Sequence, residues 1–363
     1  MGNSKMQDYI KNVLVHMPTD WIKLTTHRLD VYDEQLAKTK FLEKLEVLFN
    51  TNNYEASSLS KLPTAYDYIR LGHPLSCLLE WAIAKLLQIE LDHVISFSSR
   101  TAPILAVLRK NLLDNKNTRI LYINPLPDSF DIEVLQTVYG YQFELQKIDT
   151  TDTIDEFEGS TLFITQQNDL NILEINPKID FLVNLHPQLG SVLLVNGKHN
   201  AACISEIQHF RRRETIAMTP ANCLVALKSL VQPVSVETNT NPELKKKTVL
   251  EAIAQVTDSS TKAVVGSSGL SIQYAIMMGL IHDAQENHKG KDIKLIVPPN
   301  CYGGTNDQAR RVAACIDNVE VVDLPVDGGN DMVRSIDTIL EQLAAQDAVP
   351  YIIAEIPTNP RVE

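Results

Sequence analysis

The chain has 363 residues, a length that suits two domains, and its 44% hydrophobic and 21% charged residues are those of an ordinary globular protein. A formal net charge of −12 argues against nucleic-acid binding, which needs a basic face to neutralise phosphates. No apolar run approaches the roughly 20 residues of a membrane span, and the first residues carry neither a secretory signal nor a myristoylation pattern, since Met6 stands where Ser or Thr is wanted.

In chain order, Leu36, Phe41, Leu45 and Leu48 fall near helical spacing and predict a helix over Glu34 to Leu48. Short β-branched runs then recur at Val94–Phe97, Ile120–Ile123, Thr161–Ile164, Val192–Val195, Leu295–Val297, Val319–Val322 and Tyr351–Ala354. Helical stretches separate them, including Ala102 to Leu113, Thr248 to Gln255 and Ser271 to Asn287. Buried strands alternating with helices predict an α/β protein with a mostly parallel, helix-covered sheet. Gln232 to Lys247 is polar, has two prolines and reads as a linker, placing a boundary near Val231.

An internal repeat is visible across that boundary. His73-Pro74 leads to Leu79-Glu80, the strand Val94–Phe97, Ser98-Ser99, a helix and the strand Arg119–Ile123. Asn241-Pro242 leads to Leu250-Glu251, then Ala263-Val264-Val265, Ser267-Ser268, a helix and the strand Ile293–Val297. The order matches with small gaps. The expected organisation is an N-terminal helical extension (1–60), a first unit (61–231), a linker (232–247) and a second related unit cut short (248–363).

Chemistry-bearing motifs sit at strand ends and helix starts, where an α/β sheet presents its ligand site. Tyr66-Asp67-Tyr68-Ile69-Arg70-Leu71-Gly72-His73-Pro74 offers a guanidinium fork suited to phosphate. In Gly266-Ser267-Ser268-Gly269-Leu270 a glycine-containing turn opens a helix, so backbone N–H groups and the helix dipole can receive an anion. Cys301-Tyr302-Gly303-Gly304-Thr305 presents an aromatic ring beside two glycines, and Glu355-Ile356-Pro357-Thr358-Asn359-Pro360 follows another strand. Plain readings stay open: Tyr68 as a packing residue, Arg70 in a surface ion pair, Ser268 as an N-cap and Tyr302 as a turn residue.

Together these segments resemble the trans-sulfuration family of pyridoxal-phosphate (PLP) enzymes, which contains cystathionine gamma-synthases and cystathionine beta- and gamma-lyases. The resemblance covers most of residues 60–363 and is strongest from Val264 onward. It implies the PLP-dependent transferase fold shared with aspartate aminotransferase (fold type I), an oligomer in amino-acid metabolism, and PLP as cofactor; a soluble, cytoplasmic protein is the expectation from the N-terminal and apolar-run readings above. It also implies elimination or replacement at Cβ or Cγ of a sulfur amino acid such as cystathionine, as a lyase or a synthase. By the match, Tyr68 and Arg70 contact the cofactor phosphate from a neighbouring subunit, Gly269 and Leu270 bind it through N–H groups, Tyr302 covers the ring, and Asn359 bonds its phenolic oxygen.

Departures carry information too. His73 and Leu75 replace the family's Asn and Thr, and Ile356 replaces a Ser. In the first unit Arg100 or Thr101 stands where Gly269 stands in the second, and Leu126 falls near the place of Tyr302, so that unit reads as degenerate. The second unit has Val236 and Thr238 where Tyr-x-Arg would fall. The first unit is therefore expected to act as a built-in partner, an intramolecular pseudo-dimer lending Tyr68 and Arg70; a homo-oligomer is the other arrangement. The Schiff-base lysine and the aspartate for the pyridinium nitrogen are not found, so catalytic residues stay unassigned. The ending Arg361-Val362-Glu363, directly after a site motif, reads as a truncation that leaves the chain inactive.

Other features read blandly. Ser259-Ser260-Thr261-Lys262 mimics the lysine motif but precedes the phosphate turn, so it reads as a solvated loop. His186 reads as structural, and Arg211-Arg212-Arg213 as a helix C-terminal charge cluster meeting Glu206 and Glu214. Cys77, Cys203, Cys223, Cys301 and Cys315 lack metal-site or redox-pair spacing and are expected as reduced thiols. The rival to an enzyme is a non-catalytic regulatory protein built on the same fold. A nucleotide-binding protein is disfavoured by the lack of a Walker loop or G-x-G-x-x-G after any strand.

Overall fold

The computed structural model describes residues 2–23, 34–63, 68–168, 170, 175–232, 241–325 and 331–354. Two sheets organise the chain. The first has six strands in the order β1-β6-β5-β4-β2-β3: β1 (Val94–Phe97), β2 (Thr118–Tyr122), β3 (Phe143–Lys147), β4 (Ser160–Thr165), β5 (Phe181–His186) and β6 (Gly190–Val195). β3, β2, β4 and β5 run parallel, while β6 lies antiparallel between β5 and β1.

Because successive strand residues point to opposite faces, this sheet feeds two cores. Val94, Leu121, Phe163, Leu182 and Leu194 turn to one face. There they meet α1 (Gly2–His16), α2 (Glu34–Asn50), α3 (Ala56–Leu59), α4 (Pro74–Leu87) and α8 (Pro220–Val231). Ile95, Ile120, Leu162, Val183 and Leu193 turn to the other, under α5 (Ala102–Leu113) and α7 (Ile204–Glu214); the short α6 (Ile132–Thr137) adds Leu135. The expected N-terminal extension is thus part of the first core: Tyr9 packs edge-on to Phe49, and both pack edge-on to the buried Trp81.

The second sheet has three parallel strands in the order β8-β7-β9, from β7 (Ile293–Val297), β8 (Val319–Asp323) and β9 (Val349–Ile352). Ile293, Leu295 and Val297 pack under α10 (Gly269–Asn287) and α11 (Gly303–Ala313). Ile296 faces α12 (Met332–Ala345) through Ile339 and Leu343.

The sheets repeat one another in register. Thr118 of β2 pairs with Phe143 and Ser160, and Ile293 of β7 pairs with Val319 and Val349. In each of the trios β2, β3, β4 and β7, β8, β9, the first strand lies in the middle, the next on one side and the third on the other.

Several expectations are corrected. β3 and β5 lie outside the β-branched runs: β3 is an edge strand with alternating exposure, and β5 is interrupted by Asn184, whose buried amide bonds both backbone groups of Gln167. The last strand is Val349–Ile352, shifted back from the expected 351–354. The helix predicted from Thr248 begins at Pro242, capped by Asn241 and inside the stretch read as a linker; it is α9 (Pro242–Thr257). Ala263-Val264-Val265, matched to β1 in the repeat, forms no strand. Val264 is 74% exposed, because no β6 equivalent lies beside it among the described residues. No described helix is long and apolar enough to cross a membrane.

Candidate functional site

The candidate site lies where the last turn of α7 meets α10 and α11. α10 begins at a capping box: Ser268 accepts the Ser271 N–H at 3.1 Å, and Ser271 Oγ accepts the Ser268 N–H at 2.8 Å. The first turn of a helix has unpaired N–H groups, and this box does not reach those of Gly269 and Leu270. A Cβ on Gly269 would meet nothing within 4 Å, so the space before the turn is open.

Tyr302 stands at the N-cap of α11 and accepts the Thr305 N–H through its carbonyl at 2.8 Å. Gly304 makes its placement possible: a Cβ there would lie 2.5 Å from Tyr302 Cε1 and 2.8 Å from Leu270 Cδ1. The Tyr302 ring and the Leu270 side chain are thereby held together, joining the aromatic motif to the phosphate turn.

Arg70 arrives from the other unit. The turn that carries it is closed by Leu71 N–H and Gly72 N–H donating to the Tyr68 carbonyl. Only 8% exposed, Arg70 donates from Nη2 to the Tyr302 hydroxyl at 2.7 Å and from Nη1 to the Arg212 carbonyl at 3.3 Å. Its guanidinium lies 4.6 Å from the Tyr68 ring centroid and 5.9 Å from that of Tyr302. The reading of Arg70 as a partner of a surface carboxylate is replaced by this buried geometry. Tyr68, Arg70, Leu270 and Tyr302 converge, Gly269 adjoins them, and Asn359 lies outside the described residues.

A cation fork, a phenol and a helix N-terminus form a donor set for an anionic group beside a flat ring. The set fits the phosphate end of PLP. A lysine for covalent attachment is not part of it.

His73, the departure from the family pattern, takes over the cap of α4. Nδ1 accepts the Ser76 N–H at 3.2 Å and Nε2–H donates to the Met218 carbonyl at 2.7 Å. Burial pushes this imidazole down to about 4, keeping it neutral, against the opposing pull of the Met218 bond. His186 serves structure as well: Nδ1 accepts N–H groups of Gln188 and Leu189, and burial lowers its pKa.

The triple arginine is corrected in its partners. It does end α7, but Arg211 is 2% exposed and donates to Glu80 at 2.9 Å, to the Ser96 carbonyl at 3.0 Å and to the Leu71 carbonyl. Glu80 also takes Lys38 at 2.6 Å and the Ser96 N–H and hydroxyl. Burial alone would raise its carboxyl, but the Lys38 and Arg211 charges hold it at about 2. Arg213 pairs with Asp307 of α11 at 2.6 Å, beside His209 at 3.0 Å. Burial would raise the Asp307 carboxyl, and the bonds from His209 and Arg213 outweigh it, leaving it well below the usual range. Glu206 meets Arg311, and Glu214 meets Arg109.

Arg109 and Gln308 were missed by sequence reasoning, and Glu214 was assigned to the triple arginine instead of to them. Gln308 was detectable, because it shares the buried face of α11 with Thr305, Ala309 and Val312 and is its most polar member.

The chain matches no protein-family profile and no curated protein sequence. Among solved structures it is similar to cystathionine gamma synthase from Xanthomonas oryzae pv. oryzae, with 15% identity, TM-score 0.34, and coverage of 55% of this chain and 60% of that one. Similarity extends to MetB from Corynebacterium glutamicum, with 13% identity, TM-score 0.35 and coverages of 71% and 70%. For cystathionine gamma-lyase from yeast the values are 12%, 0.36, 61% and 62%. The chain thus spans 60% to 70% of the length of these solved relatives.

Proposed function

We propose that the site between the two units binds PLP and that the chain is part of a trans-sulfuration enzyme acting on a sulfur amino acid. The observation that carries this reading is Arg70: a buried guanidinium from the first unit, bonded to Tyr302 of the second beside the open helix turn at Gly269. In this reading Arg70 and the N–H groups of Gly269 and Leu270 hold the phosphate, Tyr302 covers one face of the ring, and Asn359 bonds its phenolic oxygen. PLP, when bound, supplies an electron sink for charge developing at the substrate Cα.

The chain's own residues bind and orient. Arg70 offers a planar guanidinium fork whose geometry matches a phosphate. Gly304 lets the ring of Tyr302 lie close against Leu270, leaving the Gly269 side open. The second unit receives its cation from the first, so in this reading the chain acts as its own partner, a pseudo-dimer. The finer assignment is elimination or replacement at Cβ or Cγ.

Calorimetric titration with PLP tests the reading. Wild-type protein should bind, and Arg70→Ala should weaken binding about 10- to 100-fold, as the loss of a charged hydrogen bond predicts. Equal affinity in the two proteins sinks the assignment.

A further inference from the structure

The last turn of α7 touches both halves of the candidate site, and its backbone does so with consecutive residues. The Arg212 carbonyl receives Arg70. The Arg213 carbonyl receives Gln308 Nε2 at 2.9 Å, and Glu214 Oε2 receives the same nitrogen at 2.5 Å. The Leu270 carbonyl, in the first turn of α10, lies 3.0 Å from the same nitrogen, whose two hydrogens are thus shared among three acceptors. One amide therefore ties the phosphate turn to the helix end on which Arg70 rests.

Glu214 is itself fixed. Both Nη atoms of Arg109 lie 3.0 Å from its Oε1, and the Arg109 guanidinium sits 4.3 Å from the Phe210 ring centroid. Its Oε2 is thus left for Gln308. Gln308 is fully buried, and its Oε1 has no hydrogen-bond partner, a costly arrangement in a protein interior. The amide cannot relieve this by flipping, because its oxygen would then face three acceptors. The orphan acceptor marks a side chain kept for what its nitrogen does.

We propose that Gln308 is a positioning residue: anchored by Arg109–Glu214, it sets the Gly269–Leu270 turn at the distance from Arg70 that a phosphate requires. The inference rests on the PLP reading of the site. It adds that the gap between the two contributors is held by a side chain touching neither ring nor phosphate.

Gln308→Met tests this, since methionine keeps the length and apolar packing while removing both the donor and the orphan acceptor. Affinities for PLP and for pyridoxal, which lacks the phosphate, are compared in wild type, Gln308→Met and Arg70→Ala, with melting temperatures alongside. The expected result is an approximately tenfold loss of PLP affinity in Gln308→Met with pyridoxal unchanged; the melting temperature falls as well, because Glu214 Oε2 and two carbonyls lose their donor, so the PLP-to-pyridoxal ratio carries the test. A purely structural role would lower the melting temperature and leave the PLP-to-pyridoxal ratio as in wild type, and that outcome overturns the inference. If Arg70→Ala also leaves the ratio unchanged, the reading of the site itself falls. Should Gln308→Met fail to fold, Gln308→Asn, whose shortened amide cannot span the gap, is read by the same ratio.

Discussion

α4 and α9 occupy the same place in the repeat and begin alike, with a capped proline start and a Leu-Glu pair on the way. In α4, Leu79, Trp81, Ala82 and Ile83 are fully buried and Glu80 is the centre of a buried ion cluster. In α9, Val256 is 86% exposed, Val249 is 49% exposed, and Glu251 makes a solvent-facing pair with Lys247. The segments that follow differ in the same way: the strand Val94–Phe97 is closed over by β6, and Val264–Val265 forms no strand and lies open. Similar segments acquire opposite fates because burial belongs to the neighbours, and α9 has no counterpart of α1 or α8 against it among the described residues.

The comparison is broken most severely at Glu80. Glu80→Ala strands Lys38 and Arg211 in the interior and should cost about 3–5 kcal/mol in urea unfolding, whereas Glu251→Ala should stay within about 0.5 kcal/mol. Equal effects would mean that α4 is less enclosed than its contacts show. Trp81→Ala should cost about 3–5 kcal/mol by loss of packing, against about 0.5 kcal/mol or less for Val256→Ala by the same measurement.

Acid sharpens the contrast further. The His73 pKa is about 4 in the folded chain against 6.5 for a free side chain, so the unfolded state binds the extra proton. The stabilisation is fully present above pH 6.5 and is lost as pH falls toward 4, about 3 kcal/mol at 1.36 kcal/mol per pKa unit. His73→Asn keeps the cap acceptor and should flatten melting temperature across that window. A slope persisting between pH 6.5 and 4 would assign the effect to other groups. Glu80 acts at lower pH: its contribution holds above 4.5 and disappears as pH falls through about 2.

Much of this was legible from residue order. The α/β class, the helix Ala102–Leu113 and the repeat followed from periodicity and landmarks, and the family resemblance of the motifs implied that Arg70 and Tyr302 would share one site. What stayed hidden depended on distant partners. Nothing local in Ala263-Val264-Val265 says that its would-be neighbour is missing. Nothing in Arg211-Arg212-Arg213 says that the first enters the core beside Glu80 while the second lends its carbonyl to Arg70. The chemistry of Arg109 and Glu214 likewise depends on a contact across more than a hundred positions, which periodicity does not encode.

The antiparallel insertion of β6 also governs the order in which the chain can assemble. β3, β4 and β5 emerge from synthesis to find a parallel neighbour already made, β2 for the first two and β4 for the third, while β1, made earlier than all of them, has no strand to join until Gly190–Val195 appears. Its residues must wait through the making of nearly a hundred others, and closing so long a loop is entropically slow. The Arg70 loop, tied to Leu71 and Ile69 carbonyl partners at Arg211 and Ala217, waits longer still. The cation of the candidate site is therefore among the last pieces of the first unit to lock, and the second unit, made afterwards, meets a ready-set arginine.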